Sequence, residues 1–160
     1  EPLGLSFNDI GKRRHGSPAT LFYCDELIRI YGNEDFNVSA GASFAVENWA
    51  AAGFWKDLIA GLENFKKKQS LNLSLGFFKW HDQLEEQHAE HTREEMITLY
   101  NEHNLNEDVF IKAGNEMLDG VEEFWAGLDQ ERITRAHYEL LSMEAELESI
   151  IAQLRTNTTE

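Results

Sequence analysis

The most informative spacing of ionisable residues in this chain lies in one segment, Phe78-Lys79-Trp80-His81-Asp82-Gln83-Leu84-Glu85-Glu86-Gln87-His88-Ala89-Glu90-His91. Within it, His81, Glu85 and His88 are spaced i, i+4 and i+7, which places all three on one face of an α-helix. Phe78 comes before them on the same face, and Thr92 follows them. The spacing therefore predicts a helix whose inward-facing stripe contains two imidazoles and one carboxylate.

These three polar groups predict a metal site, because burying them unpaired is costly and a bound cation would offset that cost. A fourth candidate ligand, Glu47, belongs to an earlier helical segment and has apolar residues three or four positions away on both sides. Together, Glu47, His81, Glu85 and His88 provide two carboxylates and two imidazoles, a donor set that suits iron or manganese. An exposed acidic face that happens to contain histidines is the alternative interpretation, and the sequence leaves it open.

Helical periodicity extends over nearly the whole chain, and no strand pattern or internal repeat interrupts it. An irregular lead-in covers 1–16, after which Ser17 and Pro18 predict a helix start. The predicted helices cover about 18–31, 37–67 with a bend at Gly53 or Gly61, 72–100, 106–127 and 130–155. The fourth helix is predicted to break at Gly127-Leu128-Asp129. The fold class is therefore all-α.

The last predicted helix carries apolar residues at alternating steps of three and four, which is the pattern of a coiled-coil seam. The seam residues are Ile133, Ala136, Leu140, Met143, Leu147, Ile150 and Leu154. We expect this seam to pack on the bundle of its own chain, with pairing in a homodimer as the alternative. The chain is thus predicted to be a single domain, with a bundle over 1–128 and an amphipathic heptad helix over 129–155.

Composition narrows the classes of partner. The chain has 160 residues, of which 42% are apolar, and this is enough for one globular domain. It has 29 acidic and 14 basic residues, a formal charge of -15, which disfavours nucleic acid and membranes as main partners. The single Cys24 excludes an internal disulfide framework and fits a reducing compartment, so we expect a cytoplasmic location. Its position on an apolar helix face predicts that Cys24 is buried.

The pattern His81-x-x-x-Glu85-x-x-His88, 34 residues after Glu47, resembles the metal-binding motif of the haem-oxygenase-like di-iron oxidases and oxygenases. Three neighbouring stretches also resemble that family: Pro18-Ala19-Thr20, Gly41-Ala42-Ser43-Phe44-Ala45-Val46-Glu47 and Gly76-Phe77-Phe78-Lys79-Trp80-His81. The resemblance covers about residues 17–127. It implies a haem-oxygenase-like helical bundle in which Glu47, His81, Glu85 and His88 bind iron, with two iron ions expected.

The resemblance also implies a function, that of a non-haem enzyme that activates O2 and oxidises a small molecule such as an amino acid or a fatty acid. The family supplies a further Glu and His from an upstream helix. Residues 1–16 do not contain that helix, so we expect the first helices of the bundle to lie outside this chain. Four aromatic residues are candidates to line a dry pocket or to form plain core: Phe44, Phe54, Phe78 and Trp80. The alternative function is a non-enzymatic interaction protein on the same bundle, with a degenerate or structural metal site.

Overall fold

The computed structural model describes residues 3–157 of the chain. Over this range, two 3-10 turns, Phe7–Asp9 and Arg13–His15, are followed by five α-helices. The helices are α1 (Pro18–Glu26), α2 (Phe36–Trp49), α3 (Trp55–Lys68), α4 (Gly76–Glu102) and α5 (Glu107–Asn157). The protein is 84% helical, and the described residues include no strand, so the predicted all-α class is confirmed.

Helix α1 begins where the sequence predicts. The Ser17 hydroxyl accepts a hydrogen bond from the backbone N–H of Thr20 at 3.1 Å, and Pro18 occupies the first helical position, where its missing N–H has no intrahelical partner to lose. A π-helical turn, Leu27–Tyr31, continues α1 as far as Gly32. The predicted helix over 18–31 is therefore confirmed.

A kink separates α2 from α3. The two helices are joined by a π-helical turn, Ala50–Phe54, in which Gly53 has φ +125°. A residue with a side chain rarely adopts this conformation, so glycine is needed there. Of the two predicted bend positions, Gly53 is correct, whereas Gly61 lies within the regular helix α3.

Helix α5 shows no break at Gly127-Leu128-Asp129, so the predicted interruption is wrong. At 1.5 Å per residue, its 51 residues form a helix about 76 Å long. A Cβ atom at position 127 would clash with the Cβ of Ala19 in α1. Gly127 is therefore small because α1 packs closely against α5 at this point, and it does not end the helix.

The core lies where α2 and α1 pack against α5, and α4 packs on the other side of α2. Its buried members are Ile30, Ala42, Ala113, Met117 and Val121. At Gly41 the backbone of α2 approaches α5 so closely that a Cβ would clash with the carbonyl oxygen of Phe110. The small residues of α2 thus allow close helix packing.

Two expectations about burial are wrong. Cys24 is exposed, because α1 turns the adjacent Tyr23 toward the core instead. The heptad seam does not pack on its own bundle, since every residue from 132 to 155 is exposed. The second error has a geometric cause: α5 continues beyond the shorter helices that cover its first half. Among the helices of residues 3–157, none is long and apolar enough to cross a membrane.

Candidate metal centre

Helix α4 presents the three predicted ligands on one face. His81 Nε2 lies 3.5 Å from Glu85 Oε1, and His88 Nδ1 lies 3.9 Å from Glu85 Oε2. One ligand atom from each of these residues lies within 4.8 Å of the other two. Two turns of a regular helix are thus sufficient to gather two imidazoles around one carboxylate, and this group could hold a metal ion.

Helix α2 adds the fourth predicted ligand from across the helix interface. Glu47 Oε2 lies 3.4 Å from His88 Nδ1. Because α2 and α4 pack side by side, the carboxylate of Glu47 contacts His88 at the edge of the group on α4. We call these four residues, Glu47, His81, Glu85 and His88, the Glu–His cluster.

Burial is uneven across the Glu–His cluster. The exposed fractions of the side chains are 5% for Glu85, 25% for Glu47, 27% for His81 and 37% for His88. The carboxylate of Glu85 is therefore almost entirely removed from water, whereas the His88 imidazole forms the solvent-facing edge.

Two polar atoms of the Glu–His cluster are buried without a hydrogen-bond partner among the described residues: Glu85 Oε2 and His81 Nδ1. Within the part of the chain that the structure describes, no lysine or arginine forms an ion pair with Glu47 or Glu85. The ionisable groups paired with Glu85 are the imidazoles of His81 and His88, which carry a compensating charge only when protonated, and a buried carboxylate without such a charge is strongly unfavourable. A divalent cation between the imidazoles and carboxylates would supply that charge, so the residues present fit a metal ion.

The distances inside the Glu–His cluster also favour a shared ion over direct hydrogen bonds. The separations of 3.4 to 3.9 Å exceed the usual donor–acceptor range for N–H···O bonds. Nitrogen and oxygen atoms that share a metal at about 2.1 Å lie roughly 3–3.5 Å from one another. The ligand atoms of His81, Glu85 and His88 lie within 4.8 Å of one another, so these side chains would have to move closer together to coordinate one cation.

A polar contact next to the cluster fixes the register of α2 against α4. The side-chain amide of Asn48 donates to the Phe44 carbonyl at 2.8 Å and to Thr92 Oγ1 at 3.2 Å. The Thr92 hydroxyl in turn donates to the Ala89 carbonyl at 3.0 Å. This contact of Asn48 was not predicted from the sequence. Two sequence features could have indicated it: Asn48 directly follows Glu47, and Thr92 lies on the same helix face as the predicted ligands.

Aromatic rings cover one side of His81. The ring of Trp55 lies 4.7 Å from the imidazole between centroids, and that of Phe77 lies 5.1 Å away. Trp55 comes just after the kink at Gly53, and the sequence did not identify its contact with His81. These rings shield the buried side of the cluster from water.

The four predicted pocket residues take different positions. Phe78 and Phe54 are half-buried and both contact Trp55, at 6.3 and 5.2 Å between ring centroids. Phe44 packs instead on Phe110 of α5, at 5.6 Å. Trp80 is 54% exposed, so its assignment to a dry pocket or core is wrong.

A surface ion pair connects α3 and α4 near the cluster. Lys79 Nζ lies 2.7 Å from Glu63 Oε1. The hydrogen bond from Lys79 lowers the pKa of the Glu63 carboxyl below its ordinary value of 4.5. Both side chains are exposed, so we expect this pair to add little to stability.

Comparison of the chain with known protein families, with characterised proteins and with solved structures finds no match. We therefore infer a function from the chemistry of the Glu–His cluster and from the sequence motifs around it.

Proposed function

We propose that the Glu–His cluster belongs to a non-haem di-iron centre that activates O2 and oxidises a small molecule, carried on a haem-oxygenase-like helical bundle. The observation that carries this proposal is the carboxylate of Glu85, buried between two imidazoles with one oxygen unpartnered. The mixed donor set supports iron, because imidazole and carboxylate together suit Fe(II), with manganese as the related choice. The His-x-x-x-Glu-x-x-His motif supports the family-level part of the proposal.

Each member of the Glu–His cluster has a role in this proposal. Glu85 is the most buried carboxylate and would compensate the cation charge directly. His81 and His88 would be neutral nitrogen ligands on either side of it. Glu47 comes from another helix and contacts His88, so its carboxylate would be a further oxygen ligand. Bound iron would supply the binding and reduction of O2.

Other residues of the chain would prepare the site. Trp55 and Phe77 cover His81 and keep water from its buried side. Asn48 ties α2 to α4 and so holds Glu47 at the height of His88. Substrate would enter at the exposed edge formed by His88, which is the part of the cluster that water reaches most easily.

The test is anaerobic loading with Fe(II), followed by metal analysis and by tryptophan fluorescence. We expect about two iron ions per chain in the intact protein, in which an upstream helix supplies the further Glu and His that a two-metal centre requires. Because the Trp55 ring lies 4.7 Å from the His81 imidazole, bound iron should quench part of the fluorescence, and Trp55→Phe should reduce the quenched component to the part that Trp80, 5.8 Å from His81, contributes. Exposure of the loaded protein to O2 should then consume oxygen when a reductant is present.

His88→Ala is the decisive variant, and His91→Ala is its matched control, since His91 is an exposed histidine on the same helix outside the cluster. The first should lose iron, quenching and O2 consumption while keeping its helical circular dichroism; the second should keep all three. Unchanged iron binding in His88→Ala would refute the metal assignment. A single ion per chain in the intact protein, with the upstream helix present, would contradict the di-iron form.

A second candidate function is a protein-interaction bundle with a structural metal. The exposed apolar residues on the second half of α5 favour it, because such a surface marks an interaction site. This candidate predicts metal binding and thermal stabilisation without O2 consumption. The oxygen measurement on the loaded protein therefore separates the two candidates.

A further inference from the structure

The second half of α5 carries a continuous apolar surface that remains exposed among residues 3–157, the part of the chain that the structure describes. We call it the α5 seam; its large members are Ile133, Leu140, Met143, Leu147 and Ile150, and their exposed fractions lie between 46% and 65%. Single exposed apolar residues are ordinary, but a contiguous stripe of them marks an interaction site. At 1.5 Å per residue, the exposed stretch from 132 to 155 is about 36 Å long.

The spacing of the α5 seam is that of a coiled coil. Its members recur every 3.5 residues on average, which keeps one stripe facing a partner helix over the full length. A stripe of this period cannot be covered by a loop, because the apolar knobs need the holes between the side chains of another helix. The partner must therefore present a helix of similar length.

Glutamates flank the α5 seam at the positions that choose the partner. With Leu140 and Leu147 at heptad position a, Glu139 and Glu146 occupy g, and Glu144 occupies e. Toward the two ends of the seam the g and e positions hold other residues, and the one cation among them, Arg132, pairs with Asp129 of its own helix: Arg132, His137, Ile151 and Gln153. All three glutamates are exposed. Charges at e and g decide which helices pair and in which orientation.

A second copy of this chain fits these flanks poorly. A parallel pair would set Glu139 of one copy beside Glu144 of the other, and an antiparallel pair would set Glu139 beside Glu146. Both arrangements place like charges in contact, and the net charge of -15 adds repulsion at longer range. A helix with cations at its flanks meets no such repulsion.

We propose that the α5 seam docks a basic amphipathic helix of another protein, one with apolar residues at heptad spacing and Lys or Arg at its flanking positions. The seam supplies the buried area, and Glu139, Glu144 and Glu146 select the basic partner. This interaction does not depend on the Glu–His cluster or on bound metal.

The experiment uses the full chain and two synthetic helical peptides of about four heptads each. Both peptides have the same leucine and isoleucine seam; one has Lys and Arg at e and g, and the other has Glu there. We expect the basic peptide to bind with 1:1 stoichiometry, about tenfold or more tighter than the acidic one. Its affinity should fall as salt rises, because the flanking charges are exposed.

Two variants examine seam and flanks separately. The double variant Leu140→Glu/Leu147→Glu should lose the basic peptide, whereas Tyr138→Glu, on the opposite face of α5, should keep it. The triple variant Glu139→Lys/Glu144→Lys/Glu146→Lys leaves the seam intact and should reverse the preference to the acidic peptide. Equal binding of the two peptides, or no reversal in the triple variant, would overturn the proposal. A dimer of the chain alone at physiological salt would also overturn it, and would identify a second copy as the occupant.

Discussion

The substitution Glu85→Gln tests the central feature of the candidate centre with a minimal change of shape. Glutamine keeps the length and hydrogen-bonding capacity of the side chain but removes its charge. The Glu85 side chain is 5% exposed and has one unpartnered oxygen, so its charge is unfavourable in the metal-free protein. We therefore expect metal-free Glu85→Gln to unfold at the same temperature as the parent protein or at a higher one.

In the presence of metal, the order should reverse. A metal at 100 times its dissociation constant stabilises the folded state by about 2.7 kcal/mol. For a domain of this size, 1 kcal/mol corresponds to roughly 2–4 °C in the unfolding midpoint, so the parent protein should gain about 5–11 °C. If the substitution weakens binding about 100-fold, the stabilisation falls to about 0.4 kcal/mol, and the gain falls to roughly 1–2 °C.

The assay is thermal unfolding followed by circular dichroism, with and without Fe(II) under anaerobic conditions and with Mn(II) in air. Glu95→Gln is the matched control, because Glu95 is an exposed glutamate on α4 and lies outside the Glu–His cluster. It should show the full metal-induced gain. A metal-induced gain in Glu85→Gln equal to that of the parent protein would contradict a role for Glu85 in metal binding. A large loss of stability in the metal-free variant would contradict the claim that the buried charge is unfavourable without metal.

Three further predictions concern the scaffold. Gly41→Ala should lower stability by about 1–3 kcal/mol in urea unfolding, because its Cβ would clash with the Phe110 carbonyl oxygen. Gly61→Ala is the control: position 61 faces open space in α3, so the substitution should raise stability by roughly 0.5–1 kcal/mol. Asn48→Ala should cost about 1–2 kcal/mol and weaken metal binding, measured by unfolding and by titration calorimetry; unchanged affinity would show that the register of α2 does not depend on this contact. Burial raises the pKa of the Tyr23 phenol above its ordinary value of 10.0, so stability should be constant with respect to this group below pH 10 and should decline as pH rises further. A spectrophotometric tyrosine titration of the parent protein and Tyr23→Phe checks the last prediction, since the variant should lack the group that ionises late.

The sequence predicted the local features of the fold correctly where they depend on neighbouring residues. The Ser17–Pro18 start of α1 follows from short-range hydrogen bonding. The same kind of contact is seen before α5, where the Asn106 side chain accepts a hydrogen bond from Val109 N at 3.2 Å. The shared face of His81 and His88 follows in the same way from the pitch of one helix.

Other features required the packing of helices distant in sequence, and these were missed or predicted wrongly. Glycine is typical of a helix end, which is why a break was predicted at Gly127. The glycine is explained instead by its contact with Ala19, which lies more than a hundred residues earlier in the sequence. The contact of Trp55 with His81 depends on the kink at Gly53, whose direction no local pattern specifies. The exposure of the α5 seam reflects how far the other helices extend along α5.

Local sequence patterns are enough to predict that this protein is all-α and that one helix carries two imidazoles and a carboxylate on a single face. Helical periodicity is a local property, because it depends on residues three and four positions apart in the sequence. Three features could be seen only in the packed structure. Glu47 contacts His88, and one oxygen of Glu85 is buried without a hydrogen-bond partner among the described residues. Half of α5 extends beyond the bundle and is exposed. Those features depend on how α2, α4 and α5 pack, and close packing is a property of side-chain shapes brought together from distant parts of the chain.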